Sequence, residues 1–259
     1  MNDDPWEAIS KHIGLPAHDF SRGALSVSAQ QIKHATRKFR TTNEREVRIL
    51  CKQDSRDARP ALFVRHNLFL LPTKNGEYAI VRGEGYVDIP PITGPFKTYR
   101  SVLTFDLDTS KIGNSEMQHL DFAYASSLIR TFTDDDSLVL TIRGRKYTPK
   151  FTFRVGDTEL ATESVQTEVD AGYEGRNQVV LVEAKSGSTT NTIIRQLFYP
   201  FRQWQEHTSK PVMTIFFQRD ELGYSLWQFR FKNPEDYNSI ELVRSERFII
   251  ESNFDKSPR

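Results

Sequence analysis

A chain of 259 residues is long enough to bury one large hydrophobic core or two small ones. Its formal net charge of +1 gives no overall excess that would indicate a nucleic-acid or membrane partner, so the local distribution of charge has to be considered. Cys51 is the only cysteine, which excludes an internal disulfide and a zinc site built from several thiolates. We find no apolar run long enough to span a bilayer and no signal peptide. We therefore expect a soluble, cytoplasmic protein with no membrane partner.

Two short helices are predicted near the N-terminus. Asp4 and Pro5 suit the first turn of the first helix, and Gly14 suits its end. The second helix is predicted to follow Ser28, because Ser28 and Gln31 have the spacing of a capping box. Both helices should therefore be well defined at their starts by side chains of the sequence itself.

A concentrated block of basic residues covers residues 22–52. It contains eight Lys or Arg residues and two acids, in a chain whose formal net charge as a whole is only +1. Such a block favours phosphate binding, although an ordinary solvated helix face explains the same pattern. The residues of this block that we predict to contact DNA are Lys33, Arg37, Lys38 and Arg40.

The next stretch is predicted to be rich in strands. Val47–Cys51 and Leu68–Leu71 are predicted strands, and the turn at Asn75-Gly76 predicts a hairpin that continues into Tyr78–Val81. Two helices, a basic strand and a hairpin loosely resemble a winged helix. Residues 1–110 are therefore predicted to form an α+β region that recognises DNA, with the catalytic part in residues 111–259.

The second half is predicted to begin with a helix that Ser115 caps, that holds Glu116 in its first turn and that continues to Phe132. The remaining predicted elements are strands at Leu138–Ile142 and Tyr147–Phe153, a central pair of strands, a helix from residues 189–191 to Phe201, and strands at Val212–Phe217 and Tyr224–Phe231. The last two strands are expected to complete the sheet.

The central pair of strands carries the most informative residues. Apolar and polar residues alternate from Val165 to Asp170, which is the pattern of a half-buried strand. After a turn with two glycines, Val179–Val182 reads as a strand buried on both faces. This strand ends in Glu183 and Lys185, which alternation places on one face. Charged side chains at the edge of an apolar core are costly unless they pair or bind a metal.

This order of elements, with Asp170 on one central strand and Glu183-Ala184-Lys185 on the next, resembles the PD-(D/E)XK nuclease superfamily. Within it, the sequence is most similar to type II restriction endonucleases, on the phrases Asn114-Ser115-Glu116, Glu168–Glu174 and Arg195–Arg202. The resemblance covers about residues 110–235, and Val169 stands where the motif of the family has proline. It implies a restriction-endonuclease-like core of class α/β (α+β), in which helices flank a mixed central sheet.

The resemblance also implies a function, which is the Mg²⁺-dependent, sequence-specific hydrolysis of phosphodiester bonds in double-stranded DNA. Asp170 and Glu183 would bind the metal, and Lys185 would lie beside the attacking water and stabilise negative charge. Further candidate ligands are the main-chain carbonyl of Ala184 and the carboxylate of Glu116. Mn²⁺ can substitute for Mg²⁺, and no nucleotide cofactor is expected. A structural ion pair at a strand end would explain the same charged residues.

Other residues are predicted to support this site or to contact DNA. Glu168 shares a strand face with Asp170, where an exposed position with no role is the alternative. Gln196 and Tyr199 on the following helix could position a phosphate, although packing is the simpler role for Tyr199. The basic residues of the second half that we predict near the DNA backbone are Arg143, Arg145, Lys146, Arg195 and Arg202.

Two other functions remain open at the level of sequence. One is a structure-specific nuclease of DNA repair or of DNA junctions from the same superfamily, and the other is a DNA-binding protein without catalysis. The long N-terminal region favours sequence recognition over the structure-specific nuclease, and DNA binding without Mg²⁺-dependent cleavage would favour the non-catalytic protein. Because one active site hydrolyses one strand at a time, we expect a homodimer whose symmetry matches a palindromic DNA site.

Overall fold

The structure, a computed structural model, describes residues 2–113 and 115–251. Asn114, which contributes to the resemblance above, lies outside the described residues. The elements of the N-terminal part are α1 (Asp3–Ile13), β1 (Leu25–Ser28), α2 (Ala29–Ala35), α3 (Thr42–Arg45), α4 (Val47–Leu50), α5 (Ala61–Arg65), β2 (Leu68–Lys74), β3 (Glu77–Arg82), β4 (Tyr86–Asp88) and β5 (Lys97–Arg100).

The rest of the chain supplies most of a large sheet and the helices on its faces. Its elements are α6 (Glu116–Ala125), α7 (Leu128–Thr133), β6 (Val139–Tyr147), β7 (Phe151–Val155), β8 (Thr158–Thr162), β9 (Gln166–Glu174), β10 (Val179–Ser186), β11 (Asn191–Ile193), α8 (Arg195–Gln205), β12 (Val212–Arg219), β13 (Tyr224–Phe231) and β14 (Ile240–Glu251). Short 3₁₀ helices lie at Leu15–Ala17, Phe20–Arg22, Arg56–Ala58, Asp108–Lys111 and Tyr237–Ser239.

Local sequence signals define the N-terminal elements. Helix α1 ends at Gly14, whose left-handed φ of 71° few other residues adopt without strain. The capping box that precedes α2 is confirmed, since the Ser28 side chain accepts from the Gln31 N–H and the Gln31 side chain accepts from the Ser28 N–H. The hairpin of β2 and β3 is also confirmed, and Gly76 takes a φ of 78° in its turn.

The N-terminal part has its own hydrophobic core. Strands β1, β3 and β2 form an antiparallel sheet in that order, and buried residues of α1, α2, α4 and α5 pack with it. The Trp6 indole is fully buried, stacks edge-on against Phe63 and donates its N–H to the carbonyl of Leu50 at 3.1 Å. These contacts fix α1 and α5 against the end of α4.

The prediction of a strand at Val47–Cys51 is wrong, because residues 47–50 form helix α4. Val47 and Leu50 are buried while Arg48 is exposed, so the buried positions are three residues apart, as on a helix. The apolar residues of this short segment suit either period, and as a helix it buries Val47 and Leu50 in the same core as Trp6. One face of α4 is thereby free to present Arg48.

The main sheet has seven strands in the order β5-β14-β13-β12-β10-β9-β6. Strands β10 and β12 are parallel, β14 and β5 are parallel, and the other neighbours are antiparallel. The expectation that β12 and β13 complete the sheet is wrong, because β14 and β5 extend it beyond β13. The predicted pairing of the two central strands, β9 and β10, is confirmed.

Helices cover the two faces of this sheet. Helices α6 and α7 share a core with Val180, Val182 and Ala184 of β10, and α8 packs on the other face with residues of β7, β12 and β13. The prediction of a single helix from Ser115 to Phe132 is wrong. The helix is interrupted between α6 and α7 at Ser127, which has a φ of 64°.

The helix predicted to begin near residue 190 begins later. Residues 191–193 form strand β11, which pairs with β4, and α8 starts at Arg195 with Pro200 inside it. This pairing ties the segment after β10 to the N-terminal half. The fold is thus a mixed α+β structure with a mixed sheet flanked by helices, as the sequence predicted at this coarser level. Within the described residues, none of the helices has the length and apolar character needed to cross a membrane.

Candidate active site

The candidate site forms where β9 and β10 separate. The two strands pair from Val179 opposite Glu174 as far as Val182 opposite Ala171. At the next position the carboxylate of Asp170 replaces a main-chain partner, since its Oδ2 accepts from the N–H of Ala184 at 2.7 Å. The sheet therefore opens at Asp170, and an acidic side chain occupies the gap.

The alternation of side chains along β10 determines the face on which Glu183 and Lys185 lie. Val180, Val182 and Ala184 pack toward α6 and α7, so Glu183 and Lys185 lie on the opposite face. The Lys185 ammonium donates to Glu183 Oε1 at 2.5 Å. The sequence prediction that these two side chains share a face is in accord with this contact.

A third carboxylate reaches the same place from a distant part of the chain. Ser115 caps α6 by accepting from the Gln118 N–H, and this places Glu116 in the first turn. Glu116 Oε1 accepts from the N–H of Ser186 at 3.0 Å, at the end of β10. The start of α6 is thus fastened to the strand that carries Glu183 and Lys185.

Burial and neighbouring charges shift the pKa values of Asp170, Glu183 and Lys185. Burial raises the pKa of Glu183 to about 7, and the nearby Asp170 carboxylate acts in the same direction. Burial also raises the pKa of Asp170, with further contributions from Glu116 and Glu168. Burial by itself would lower the pKa of Lys185, but the attraction of the surrounding carboxylates outweighs it and the pKa is raised. The site therefore holds a charged amine among acids that repel one another.

The site opens into a cleft that is lined by residues 48–78 of the N-terminal half and by residues from 116 to 200 of the second half. The cleft has a volume of about 790 Å³, and Glu116, Asp170, Glu183 and Lys185 all line it. The acids that line it are Glu168, Asp170 and Glu183 of the main sheet, Glu116 of α6 and Asp54 from the N-terminal half. The cations that line it are Lys185 with Arg145 and Arg195 from the second half, and Arg48, Lys52 and Lys74 from the N-terminal half.

The cleft cations of the N-terminal half were not among the residues singled out as DNA contacts, although Arg48 and Lys52 belong to the basic block of residues 22–52. Arg48 lies on α4, Lys52 follows that helix, and Lys74 lies at the β2–β3 turn. The predicted DNA contacts Lys33, Arg37, Lys38 and Arg40 are exposed, but none of them lines this cleft. Lys33 and Arg40 instead border a separate pocket with Arg45. The sequence showed that residues 22–52 are basic, but it did not show which of these side chains line the cleft.

Two predicted contacts of α8 are corrected by their burial. The side chain of Tyr199 is fully buried and donates its hydroxyl to the carbonyl of Pro72 at 2.8 Å, so it packs the core. Arg202 is also buried, donates to the carbonyls of Thr152 and Pro234 and stacks on Phe151. Neither side chain is available to a phosphate.

The other predicted residues of this part lie at or near the cleft. Gln196 lines it and accepts from the Thr192 hydroxyl at 2.6 Å. Glu168 is exposed, lines the cleft and pairs with Arg145 at 3.4 Å. The set is completed by Arg195, which pairs with Asp54 at 3.6 Å, by Arg143, which pairs with Asp121 on α6, and by the exposed Lys146.

The donor chemistry of the site suits a hard divalent cation. Within residues 2–113 and 115–251, no three His, Cys, Asp or Glu side chains stand in positions that would already hold a metal ion. Asp170, Glu183 and Glu116 nevertheless supply only oxygen donors, and Mg²⁺ prefers carboxylate oxygens with water and phosphate. Burial first, and then the repulsion between neighbouring carboxylates, raises the pKa of Asp170 and of Glu183, and a bound cation would counter both effects.

Buried Glu183 predicts a pH dependence of stability in the absence of divalent ions. Because folding raises its pKa from 4.5 to about 7, the stabilising neutral form is complete below about pH 4.5 and is lost as the pH rises through about 7. Glu183→Gln stays neutral, so it should match the wild type at low pH and exceed its free energy of unfolding by up to about 3 kcal/mol near pH 8. Urea unfolding in EDTA at both pH values measures this difference. Equal stabilities near pH 8 would contradict it.

The fold and this site define an α+β protein with an acidic cluster at the open end of a mixed sheet. Residues 81–249 match the family model described as Domain of unknown function (DUF6997), and residues 3–80 match a second one, described as Domain of unknown function (DUF6996). Because the first match covers more than half of the chain, the protein belongs to the DUF6997 family. Comparisons with curated proteins and with solved structures each gave no match.

Proposed function

We propose that this protein is a type II restriction endonuclease with a PD-(D/E)XK core, which cuts double-stranded DNA with Mg²⁺ or Mn²⁺ as cofactor and requires no nucleotide. The observation that carries the proposal is the convergence of Asp170, Glu183 and Lys185, with Glu116 from α6, at one end of a mixed sheet. The cleft above them is lined by these acids and by cations from both halves. That combination suits a phosphodiester and a divalent cation together.

Each residue of the cluster has a distinct role in the proposed reaction. Asp170, Glu183 and Glu116, with the carbonyl of Ala184, would hold Mg²⁺, which when bound supplies positive charge to the phosphate and lowers the pKa of water. Lys185 stays protonated beside these acids and donates to the non-bridging oxygens of the phosphate as negative charge develops. The carboxylates also repel phosphate unless the cation is present, which makes cleavage dependent on it.

The N-terminal half supports a role in DNA recognition. Its β2–β3 hairpin places Lys74, Asn75 and Gly76 on the cleft, and Arg48 and Lys52 line the same wall. Phosphate contacts from such residues would fix the position of a duplex over the acidic site without reading its sequence. The predicted boundary at residue 110 remains a prediction, and the two family matches divide between residues 80 and 81.

Cleavage of long duplex DNA with and without Mg²⁺, followed by mapping of the fragment ends, tests the proposal. A restriction endonuclease gives discrete fragments with uniform ends at one short sequence, and only with the metal. Cuts confined to branched or flapped DNA would identify a structure-specific nuclease instead. Binding without any cleavage would identify a DNA-binding protein whose carboxylates are structural.

We also expect two copies of the chain on each DNA site. A two-fold dimer brings one active site to each strand of a palindrome, which a single site does not achieve in one binding event. Sedimentation of the protein on a short cognate duplex should show two chains of 30.0 kDa per duplex. One chain per duplex, together with complete double-strand cleavage, would exclude the dimer.

A further inference from the structure

Among residues 2–113 and 115–251, one buried side chain in the wall of the cleft has no hydrogen-bond partner for its polar atoms. Gln53 lines the cleft and is only 2% exposed. Within the described residues, neither its Nε2 nor its Oε1 makes a hydrogen bond. Buried amides are almost always paired, because an unpaired donor or acceptor retains the full cost of losing water. Gln53 is therefore an amide for which folding alone supplies no partner.

The main chain around Gln53 is held by hydrogen bonds to two other segments of the chain. The Tyr86 hydroxyl donates to the carbonyl of Gln53 at 3.0 Å, and the Ile193 N–H donates to the carbonyl of Asp54 at 2.9 Å. Two residues further on, the Arg56 N–H donates to Asn191 Oδ1 at 2.7 Å. The backbone of this segment is thus fixed to β4 and β11. The Gln53 side chain, by contrast, can rotate without breaking a hydrogen bond among the described residues.

The neighbours of Gln53 are the residues that a nucleic acid would meet. Lys52 precedes it, and Asp54 pairs with Arg195, which lines the cleft from the start of α8. Asp54 is also close enough to Glu183 to contribute to its raised pKa. A strand of DNA whose phosphate lies at the acidic cluster would therefore pass close to the segment that carries Gln53.

A glutamine side chain presents one donor and one acceptor side by side. In the major groove only adenine offers the complementary pair, an acceptor at N7 and a donor at N6, whereas guanine offers two acceptors and cytosine a donor. We propose that Gln53 turns into the cleft when DNA binds and reads an adenine of the recognition sequence. This inference rests on the proposed function, and it adds a residue that sets the sequence specificity.

The test compares selection of DNA by the wild type and by Gln53→Met, which keeps the length of the side chain and removes both polar atoms. Each protein is incubated in EDTA with a pool of duplexes whose central segment is randomised, and the bound fraction is sequenced. We expect the wild type to select adenine at a position where Gln53→Met selects no base. The preference lost there should be about ten- to hundredfold, while other positions keep theirs.

Gln178→Met is the matched control. Gln178 lies at the opposite end of β10, where its amide donates to Asp135 at 3.0 Å, so this variant should select the same sequences as the wild type. The thermal midpoint adds a second readout. Gln53→Met should unfold at the wild-type temperature or above it, because it removes an unpaired buried amide. A marked fall in the midpoint with unchanged base selection would show that Gln53 is structural.

Two results would overturn the inference. One is an identical selected sequence for the wild type and Gln53→Met, and the other is a wild type that selects no base at any position. Cleavage of long duplex DNA by the wild type with Mg²⁺, measured in parallel, separates the two proposals. Discrete cleavage with a Gln53-independent sequence would remove only the reading role, whereas adenine selection without cleavage would remove only the enzymatic function.

Discussion

Replacing any one of Asp170, Glu183 and Lys185 should reduce Mg²⁺-dependent cleavage of DNA by about 10²–10³-fold or more. The expected variants are Asp170→Asn, Glu183→Gln and Lys185→Met, each close in shape to the natural residue. In the proposed mechanism, every one removes a charge that acts on the phosphate or on the cation, in a partly buried site where charges interact strongly. Single-turnover cleavage of a cognate duplex measures the effect.

Binding of DNA by the same variants should survive. Asp170 and Glu183 repel phosphate when the cation is absent, so Asp170→Asn and Glu183→Gln should bind as tightly as the wild type or more tightly in EDTA. Glu241→Gln serves as the control, since Glu241 lies on β14, pairs with Arg230 and Lys232 and does not line the cleft. Wild-type turnover in any one of the three site variants would remove that residue from the proposed mechanism.

Magnesium binding can be followed without cleavage. Mg²⁺ should raise the thermal midpoint of the wild type near pH 8, because it neutralises the acids that burial and mutual repulsion destabilise. The rise should shrink in Asp170→Asn and in Glu183→Gln. An equal rise in wild type and variants would place the cation elsewhere.

Neutralising the cations that line the cleft from the N-terminal half should greatly weaken the binding of DNA. In the triple variant Arg48→Gln, Lys52→Gln, Lys74→Gln, affinity for all duplexes should fall together. The slope of log affinity against log salt should become shallower by roughly 0.9 for each phosphate contact that is lost. Titrations of one duplex at several salt concentrations measure both quantities.

The chain offers a matched triple for comparison. Lys33→Gln, Arg37→Gln, Lys38→Gln removes the same charge from the same half of the protein, but these residues do not line the cleft. The sequence predicted that they bind phosphates, and an effect as large as that of the cleft triple would support that prediction for a duplex that extends beyond the cleft. A smaller loss of affinity than in the cleft triple would show that the main phosphate contacts lie in the cleft. No change in slope for the cleft triple would show that DNA is held elsewhere.

The sequence by itself determined the elements whose signals are local. The capping box of Ser28 and Gln31, the turn at Gly76 and the alternation along β9 and β10 each depend on residues a few positions apart, and each is present in the structure. Alternation also placed Glu183 and Lys185 on one face before any packing was known. These features follow from backbone geometry and the period of a strand.

Tertiary structure decided what joins distant parts of the chain. Glu116 meets Ser186 because α6 packs across the end of β10, and no spacing in the sequence encodes that contact. The short apolar segment at Val47 forms a helix whose buried residues join the core around Trp6, and Arg48 on this helix lines the cleft. Burial removed Tyr199 and Arg202 from the predicted contacts. Which charges face a ligand depends on packing over long separations, and local patterns carry no record of that packing.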